Sequence, residues 1–127
     1  MAEFKDSKQI GIEIYTDGLR DKNKVAAATV TNKDVFSARL PDEATIFSAD
    51  AKAIELAFEH IKMSKYTPCA ISSDSLSCLL SLHSMNIDDP YIFDILYSYY
   101  YVSNQGNIVN FCWISCHIGI HEKIWNQ

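Results

Sequence analysis

The segment Gln9-Ile10-Gly11-Ile12-Glu13-Ile14-Tyr15-Thr16-Asp17-Gly18 combines a strand pattern with an acidic end. Isoleucine recurs at every second position from Ile10 to Ile14, and β-branched residues favour an extended chain with one buried face. The pattern predicts a strand from Gln9 to Thr16 that carries Asp17 at its C-terminal end. Because ligands of mixed and parallel sheets collect beyond the strand C-termini, Asp17 is a candidate functional residue.

A second acidic residue, Asp50, lies in a segment whose apolar residues recur at helical spacing. The predicted helix covers residues 46–61, and its apolar stripe comprises Ile46, Ala53, Ile54, Ala57 and Ile61. Asp50 is four residues from both Ile46 and Ile54, so the helix turns it toward the core. Burying a lone carboxylate costs several kcal/mol unless a cation or hydrogen bonds compensate, which makes Asp50 a second candidate.

A third acidic residue, Asp74, follows the short apolar stretch Cys69-Ala70-Ile71-Ser72. This stretch predicts a buried strand after Pro68, and Asp74-Ser75 would open a helix through Leu82. Asp74 has two interpretations at this point. It is either the N-cap of that helix, a common role for aspartate, or a strand-end ligand like Asp17.

The remaining segments complete an alternation of strands and helices. A hairpin is predicted for residues 25–31 and 35–40, with its turn at Asn32-Lys33-Asp34. A helix is predicted to begin at Asp89-Pro90 and to end at Gly106. A last strand is predicted for residues 108–114, before a loop at 115–120. The order is βββαβααβ. It predicts an α/β fold in which β1-β2-β3 are antiparallel, β4 and β5 are parallel, and helices pack on the faces of the sheet.

Composition is consistent with one domain over residues 1–127, since the chain is 48% hydrophobic and no Pro/Gly/Ser-rich stretch divides it. A net charge of −5 argues against a protein that holds nucleic acid by bulk charge. The first eight residues carry both charges and have no apolar run, and residues 91–102 are too short to cross a bilayer. We therefore expect an intracellular protein with no membrane partner.

The cysteines allow two interpretations. Cys69, Cys78 and Cys112 lie in apolar segments, as reduced cysteines of intracellular proteins do. The alternative is a zinc site, because thiolate and imidazole are the ligands that zinc prefers and two cysteines and two histidines cluster near the end of the chain. That cluster comprises Cys112, Cys116, His117 and His121. Its spacers are shorter than those of most closed zinc sites, which favours the first interpretation.

Three converging aspartates predict a metal-dependent chemistry. Ionised carboxylates repel one another unless cations lie among them, and hard oxygen ligands suit Mg²⁺ or Mn²⁺. Two such ions about 4 Å apart activate a water on one side of a phosphodiester and stabilise the leaving oxygen on the other. The residues thus point to hydrolysis of nucleic acid.

Four motifs, taken in this order, resemble the type 1 ribonuclease H domains, particularly those attached to reverse transcriptases of non-LTR retrotransposons. The likeness runs from about Ile10 to His121, and the motifs are Tyr15-Thr16-Asp17-Gly18, the segment from Ile46 to Ile54, Ser73-Asp74-Ser75-Leu76, and the segment from Trp113 to Ile120. The resemblance implies the ribonuclease H-like fold with a five-stranded mixed sheet.

The resemblance also implies an activity and its residues. The activity is a Mg²⁺-dependent or Mn²⁺-dependent endonuclease that cuts the RNA strand of an RNA–DNA hybrid, with Asp17, Asp50 and Asp74 as metal ligands. His117 matches the family's histidine that assists proton transfer or product release. Gly18 and Ser75 are expected beside the bound nucleic-acid backbone. The chain would then be part of, or derived from, a reverse transcriptase polyprotein.

Three departures from the family pattern define a second hypothesis. Asp50 stands where the family usually has glutamate, Gln127 stands at the position of the fourth carboxylate, and the family's final helix is truncated. Gln127 is neutral and binds Mg²⁺ far less well than a carboxylate. The alternative function is therefore a catalytically impaired domain that acts as a nucleic-acid or protein-binding module.

Overall fold

The computed structural model describes residues 12–64 and 68–115, which form a five-stranded mixed sheet and three helices. The elements are β1 (Ile12–Asp21), β2 (Lys24–Val30), β3 (Val35–Leu40), α1 (Ile46–Ser64), β4 (Cys69–Ser73), α2 (Leu76–His83), α3 (Pro90–Asn104) and β5 (Val109–Trp113). Their order is the one that the sequence predicts. No helix in the described ranges is long and apolar enough to cross a membrane.

The strands lie in the order β3-β2-β1-β4-β5, with β1 at the centre. The pairs β1/β2 and β2/β3 are antiparallel, whereas β1/β4 and β4/β5 are parallel. The turn between β2 and β3 is held by Thr31, whose hydroxyl oxygen accepts hydrogen bonds from the backbone N–H groups of Lys33 and Asp34. The predicted combination of an antiparallel meander with parallel crossovers is confirmed.

The predicted end of β1 is wrong. The strand continues past Asp17 to Asp21 because β2 pairs with it from Tyr15 to Asp21, after the pairing with β4 has ended at Thr16. Asp and Gly are weak strand formers by themselves, so the sequence pattern stopped at Thr16. The antiparallel partner supplies the hydrogen bonds that extend the strand.

The main hydrophobic core lies between the sheet and helices α1, α2 and α3. Phe58 of α1 is fully buried, with ring centroids 6.3 Å from Tyr99 of α3 and 6.0 Å from Phe111 of β5. The predicted face of α1 is buried except at Ile46, which is 46% exposed. Ile46 is the first helical residue, so no neighbouring turn covers it.

The start of α3 is confirmed in detail. Asp89 is its N-cap and accepts hydrogen bonds from the N–H groups of Tyr91 and Ile92, while Pro90 takes the first helical position. Gly106 follows the helix with a φ of +88°, a conformation that glycine adopts without the strain of a side chain. The predicted helix end is therefore also confirmed.

Candidate metal centre

Asp17 and Asp74 are brought together by the register of the parallel strands. The last pair between β1 and β4 is Thr16 with Ser73, and Asp17 and Asp74 are the next residues on the two chains. The Thr16 hydroxyl donates a hydrogen bond to the backbone carbonyl of Ser72 at 3.0 Å, which fixes the two strands at this point. The two carboxylates consequently lie side by side where the parallel pairing ends, although β1 itself continues.

Asp50 reaches the same place from helix α1. Its Oδ1 atom accepts a hydrogen bond from the backbone N–H of Gly18 at 2.8 Å. A Cβ atom at Gly18 would lie 2.5 Å from the Asp50 backbone nitrogen and 2.6 Å from Asp50 Oδ1. Only glycine allows the helix to approach β1 this closely, so Gly18 has a packing role. The expected contact of Gly18 with a nucleic-acid backbone stays a prediction.

The three aspartates form one compact cluster. Each offers a carboxylate oxygen, and these atoms all lie within 4.8 Å of one another. Within the described residues, it is the one group of three or more His, Cys, Asp or Glu side chains positioned to hold a metal ion. Oxygen-only donors converging from three elements suit a hard divalent cation, so the residues fit Mg²⁺ or Mn²⁺.

The electrostatics of Asp50 agree with a cation site. Burial, together with the nearby charges of Asp74 and Asp17, raises its pKa from 3.8 to about 6, while hydrogen bonds from Gly18 and Ser75 act in the opposite direction. The residue as a whole is 8% exposed. A carboxylate held in this way is half-protonated near pH 6, and a bound cation would favour its ionised form.

Ser75, rather than Asp74, is the N-cap of α2. Its side chain accepts a hydrogen bond from the backbone N–H of Cys78, and the same hydroxyl bonds the Asp50 carboxylate. Asp74 is thereby left outside the helix with its carboxylate at the cluster, so the N-cap interpretation of Asp74 is wrong. The link from Ser75 to Asp50 is a contact that sequence reasoning missed, because nothing in the local pattern reveals which side chain of α1 faces the start of α2.

Several predicted site residues lie outside the described ranges. They are Cys116, His117, His121 and Gln127, and the expected final loop and truncated helix lie there too. Cys112, the remaining member of the suggested zinc cluster, is a buried cysteine of β5. Burial raises the pKa of the Cys69 and Cys78 thiols to about 12, so neither is a thiolate ligand at neutral pH.

Comparison with known proteins identifies the fold. No protein-family model and no curated protein matches the chain. A ribonuclease H1 from the halophilic archaeon Halobacterium salinarum NRC-1 is similar in structure, with a TM-score of 0.60, 15% sequence identity, and coverage of 81% of this chain and 84% of that one. LC11-RNase H1, solved in complex with an RNA/DNA hybrid, also has a TM-score of 0.60, with 18% identity and coverage of 82% and 85%.

These likenesses establish the fold. The five-stranded mixed sheet and three helices are those of the ribonuclease H fold, and the fold class expected from the sequence motifs is confirmed. At such low identity, the activity of this chain depends on its own residues.

Proposed function

We propose that this chain is a divalent-metal-dependent endonuclease of the ribonuclease H type, acting on the RNA strand of an RNA–DNA hybrid. The observation that carries the proposal is the convergence of Asp17, Asp50 and Asp74, from β1, α1 and the end of β4, within 4.8 Å. The fold shared with two ribonuclease H1 structures supports the reaction class, and one of those proteins was solved with an RNA/DNA hybrid.

Asp17, Asp50 and Asp74 would hold Mg²⁺ or Mn²⁺. When bound, such ions would supply activation of a water and stabilisation of charge at the leaving oxygen. Asp17 pairs with Ala28 of β2, directly follows the last residue of β1 that pairs with β4, and is 3% exposed. Gly18 and Ser75 orient Asp50 through hydrogen bonds, so this carboxylate is placed before a ligand arrives.

A proton carrier completes the proposed site. His117, from the resemblance, would assist the leaving group, because imidazole titrates near neutral pH. Ser75 and Gly18 would lie beside the bound backbone, where a hybrid presents 2'-hydroxyls on one strand only. We also propose an intracellular location and an origin in a reverse transcriptase polyprotein, the former supported by the buried free thiols of Cys69 and Cys78.

A second candidate function is a nucleic-acid or protein-binding module with impaired catalysis. The observation that favours it is the state of Asp50. This residue has the short aspartate side chain, one of its oxygens already accepts the Gly18 N–H, and its pKa is raised to about 6. Each feature weakens its contribution to metal binding compared with a longer, ionised carboxylate.

The test is cleavage of an end-labelled RNA–DNA hybrid, measured with Mg²⁺ and separately with Mn²⁺. The wild type is compared with Asp17→Asn and Asp74→Asn, which remove one charge each from the cluster. Asp88→Asn is the matched control, because it removes the same charge from an exposed loop residue. All four proteins are first checked for cooperative unfolding.

The proposal predicts cleavage of the RNA strand by the wild type and by Asp88→Asn, with a loss of at least about 100-fold in the two cluster variants. Hybrid binding without cleavage in either metal would favour the binding module instead. Equal cleavage by all four proteins would show that the cluster is not the active site.

A further inference from the structure

Helix α3 carries an aromatic surface that the core does not use. Phe93, Tyr97, Tyr100 and Tyr101 are 48%, 67%, 43% and 50% exposed. Their spacing of four, three and one residues places the four rings on one side of the helix. We refer to these four residues as the α3 aromatic face.

The α3 aromatic face forms one wall of an open groove. Met85 and Ile87 of the preceding loop, themselves partly exposed and apolar, form the other wall, and the groove has a volume of about 350 Å³. None of the three clustered aspartates lines it. A contiguous apolar patch of this kind on a chain of 127 residues indicates an interaction surface rather than scattered exposure.

We propose that a second copy of this chain covers the α3 aromatic face, through a two-fold symmetric contact in which the two α3 helices run antiparallel. The exposed area of the α3 aromatic face supports this occupant. A fully covered aromatic side chain buries about 150–250 Å², so the four half-exposed rings offer roughly 400 Å² per copy. With Met85 and Ile87, two copies would bury about 1,000–1,200 Å² in total, at the lower end of specific interfaces.

The charged groups on the flank of α3 also favour a second copy as the partner. Helix α3 has an acidic residue, Asp94, beside the aromatic face, and no basic residue in its last turn. The Lys62 ammonium group lies 5.3 Å from the centroid of the Tyr101 ring. It also lies 3.6 Å from Glu59 Oε1 and donates a hydrogen bond to Ser98 Oγ, so Asp94 of a second copy would share this cation with Glu59. Tyr101 is seven residues after Asp94, which places both on the same flank of α3, two turns apart.

A two-fold axis that sets the two α3 helices antiparallel places the level of Asp94 in one copy opposite the level of Tyr101 in the other. The midpoint between Asp94 and Tyr101 falls beside Tyr97, the most exposed residue of the face. A two-fold axis at that point, perpendicular to the helices, sets Asp94 of one copy against Tyr101 and Lys62 of the other, and symmetry makes the contact twice. The same axis stacks the central tyrosines of the two copies, so apolar burial and ion pairing agree on one register.

The test is sedimentation velocity over a protein concentration series from roughly 1 to 200 µM, a range suited to an interface of this size. The proposal predicts a concentration-dependent species of twice the 14.4 kDa monomer mass. Tyr97→Glu, which places two like charges at the axis, should weaken the dimer by at least about 30-fold. Leu80→Glu is the matched control, since Leu80 is 52% exposed on α2 and does not line the groove.

A charge exchange tests the register. Asp94→Lys and Lys62→Glu should each weaken the dimer, whereas the double variant should restore it to near the wild-type level. A wild type that stays monomeric at all concentrations would overturn the proposal and leave the groove for a different partner. A dimer unaffected by Tyr97→Glu would place the contact elsewhere, and failure of the double variant to recover would refute the antiparallel register.

Discussion

The close approach of α1 to β1 at Gly18 leads to a prediction about stability and metal binding together. An alanine Cβ at this position would lie 2.5 Å from the Asp50 backbone nitrogen, 2.6 Å from Asp50 Oδ1 and 2.7 Å from the Ala49 carbonyl carbon. Two of these atoms belong to the backbone of α1, so no side-chain rotation relieves the contact. The start of α1 must move away from the strand by about 0.5–1 Å to reach ordinary contact distance.

The shift has two expected costs. Overpacking of this kind lowers the free energy of unfolding by about 1–3 kcal/mol, and the backbone contacts place Gly18→Ala in the upper part of that range. The same shift moves the Asp50 carboxylate relative to Asp17 and Asp74 and breaks its hydrogen bond from residue 18. Because Mg²⁺ demands near-ideal coordination geometry, we expect divalent-cation affinity to fall by at least about tenfold.

The control is Gly106→Ala. Gly106 has a φ of +88° and open space around its Cβ position, so alanine there costs about 1–2 kcal/mol of backbone strain without any displacement at the cluster. Urea unfolding and calorimetric titration with Mn²⁺ are measured for both variants. Gly18→Ala should lose stability and cation affinity, whereas Gly106→Ala should lose stability alone. A Gly18→Ala protein with wild-type stability and wild-type affinity would refute the argument.

Three further predictions concern single side chains. Asp50 has a folded-state pKa of about 6 against an ordinary 3.8, so its contribution to stability is present at low pH and is lost as the pH rises through 6. In urea unfolding, the free energy of unfolding of the metal-free wild type should therefore fall by about 1–3 kcal/mol between pH 4 and pH 7.5 relative to Asp50→Asn. Parallel pH profiles for the two proteins would contradict this. Ser75→Ala should lower the free energy of unfolding by about 1 kcal/mol and also weaken Mn²⁺ binding. Ser75→Thr is the control, because it retains both the helix cap and the hydroxyl. Equal Mn²⁺ titrations for the two variants would show that Ser75 does not orient Asp50. Phe58→Ala should lower the free energy of unfolding in urea by about 3–5 kcal/mol, because Phe58 is fully buried. Phe93→Ala removes a half-exposed ring and should lower that of the monomer by less than about 1 kcal/mol. Similar losses for the two variants would contradict the assignment of the core.

The sequence predicts the helices and strands well where the spacing of apolar residues agrees with the residues that begin or end an element. Alternating isoleucines, the helical stripe of α1 and the Asp89-Pro90 start are local signals, and the structure follows them. The end of β1 was not predictable in this way, because the hydrogen bonds that extend it to Asp21 come from β2. Propensity at Asp17 and Gly18 describes an isolated segment, whereas pairing is a property of the assembled sheet.

The candidate site shows the same division. Strand ends and helix faces predict that Asp17, Asp50 and Asp74 converge, because strand direction and helical period are set by local sequence. The identity of the α2 cap and the bond between Ser75 and Asp50 depend on how α1 and α2 meet across the sheet. A capping preference alone does not choose between adjacent Asp74 and Ser75, since both residue types are good N-caps.

The aromatic face of α3 illustrates a further gap. From the sequence, Phe93, Tyr97, Tyr100 and Tyr101 are simply apolar or amphipathic members of a helix. Burial is assigned only by the position of α1, β5 and the sheet, which cover the opposite side of α3. The exposed aromatic face can therefore be identified only once the packing of the core is known.

Mn²⁺ titration followed by electron paramagnetic resonance decides whether Asp17, Asp50 and Asp74 form one divalent-cation site. Free Mn²⁺ is measured in the presence of wild type, Asp17→Asn and the exposed-loop control Asp88→Asn at equal protein concentration. We expect saturable Mn²⁺ binding by the wild type and by Asp88→Asn, with a loss of at least about tenfold in affinity for Asp17→Asn. Identical titrations for all three proteins would show that the three aspartates do not form a cation site.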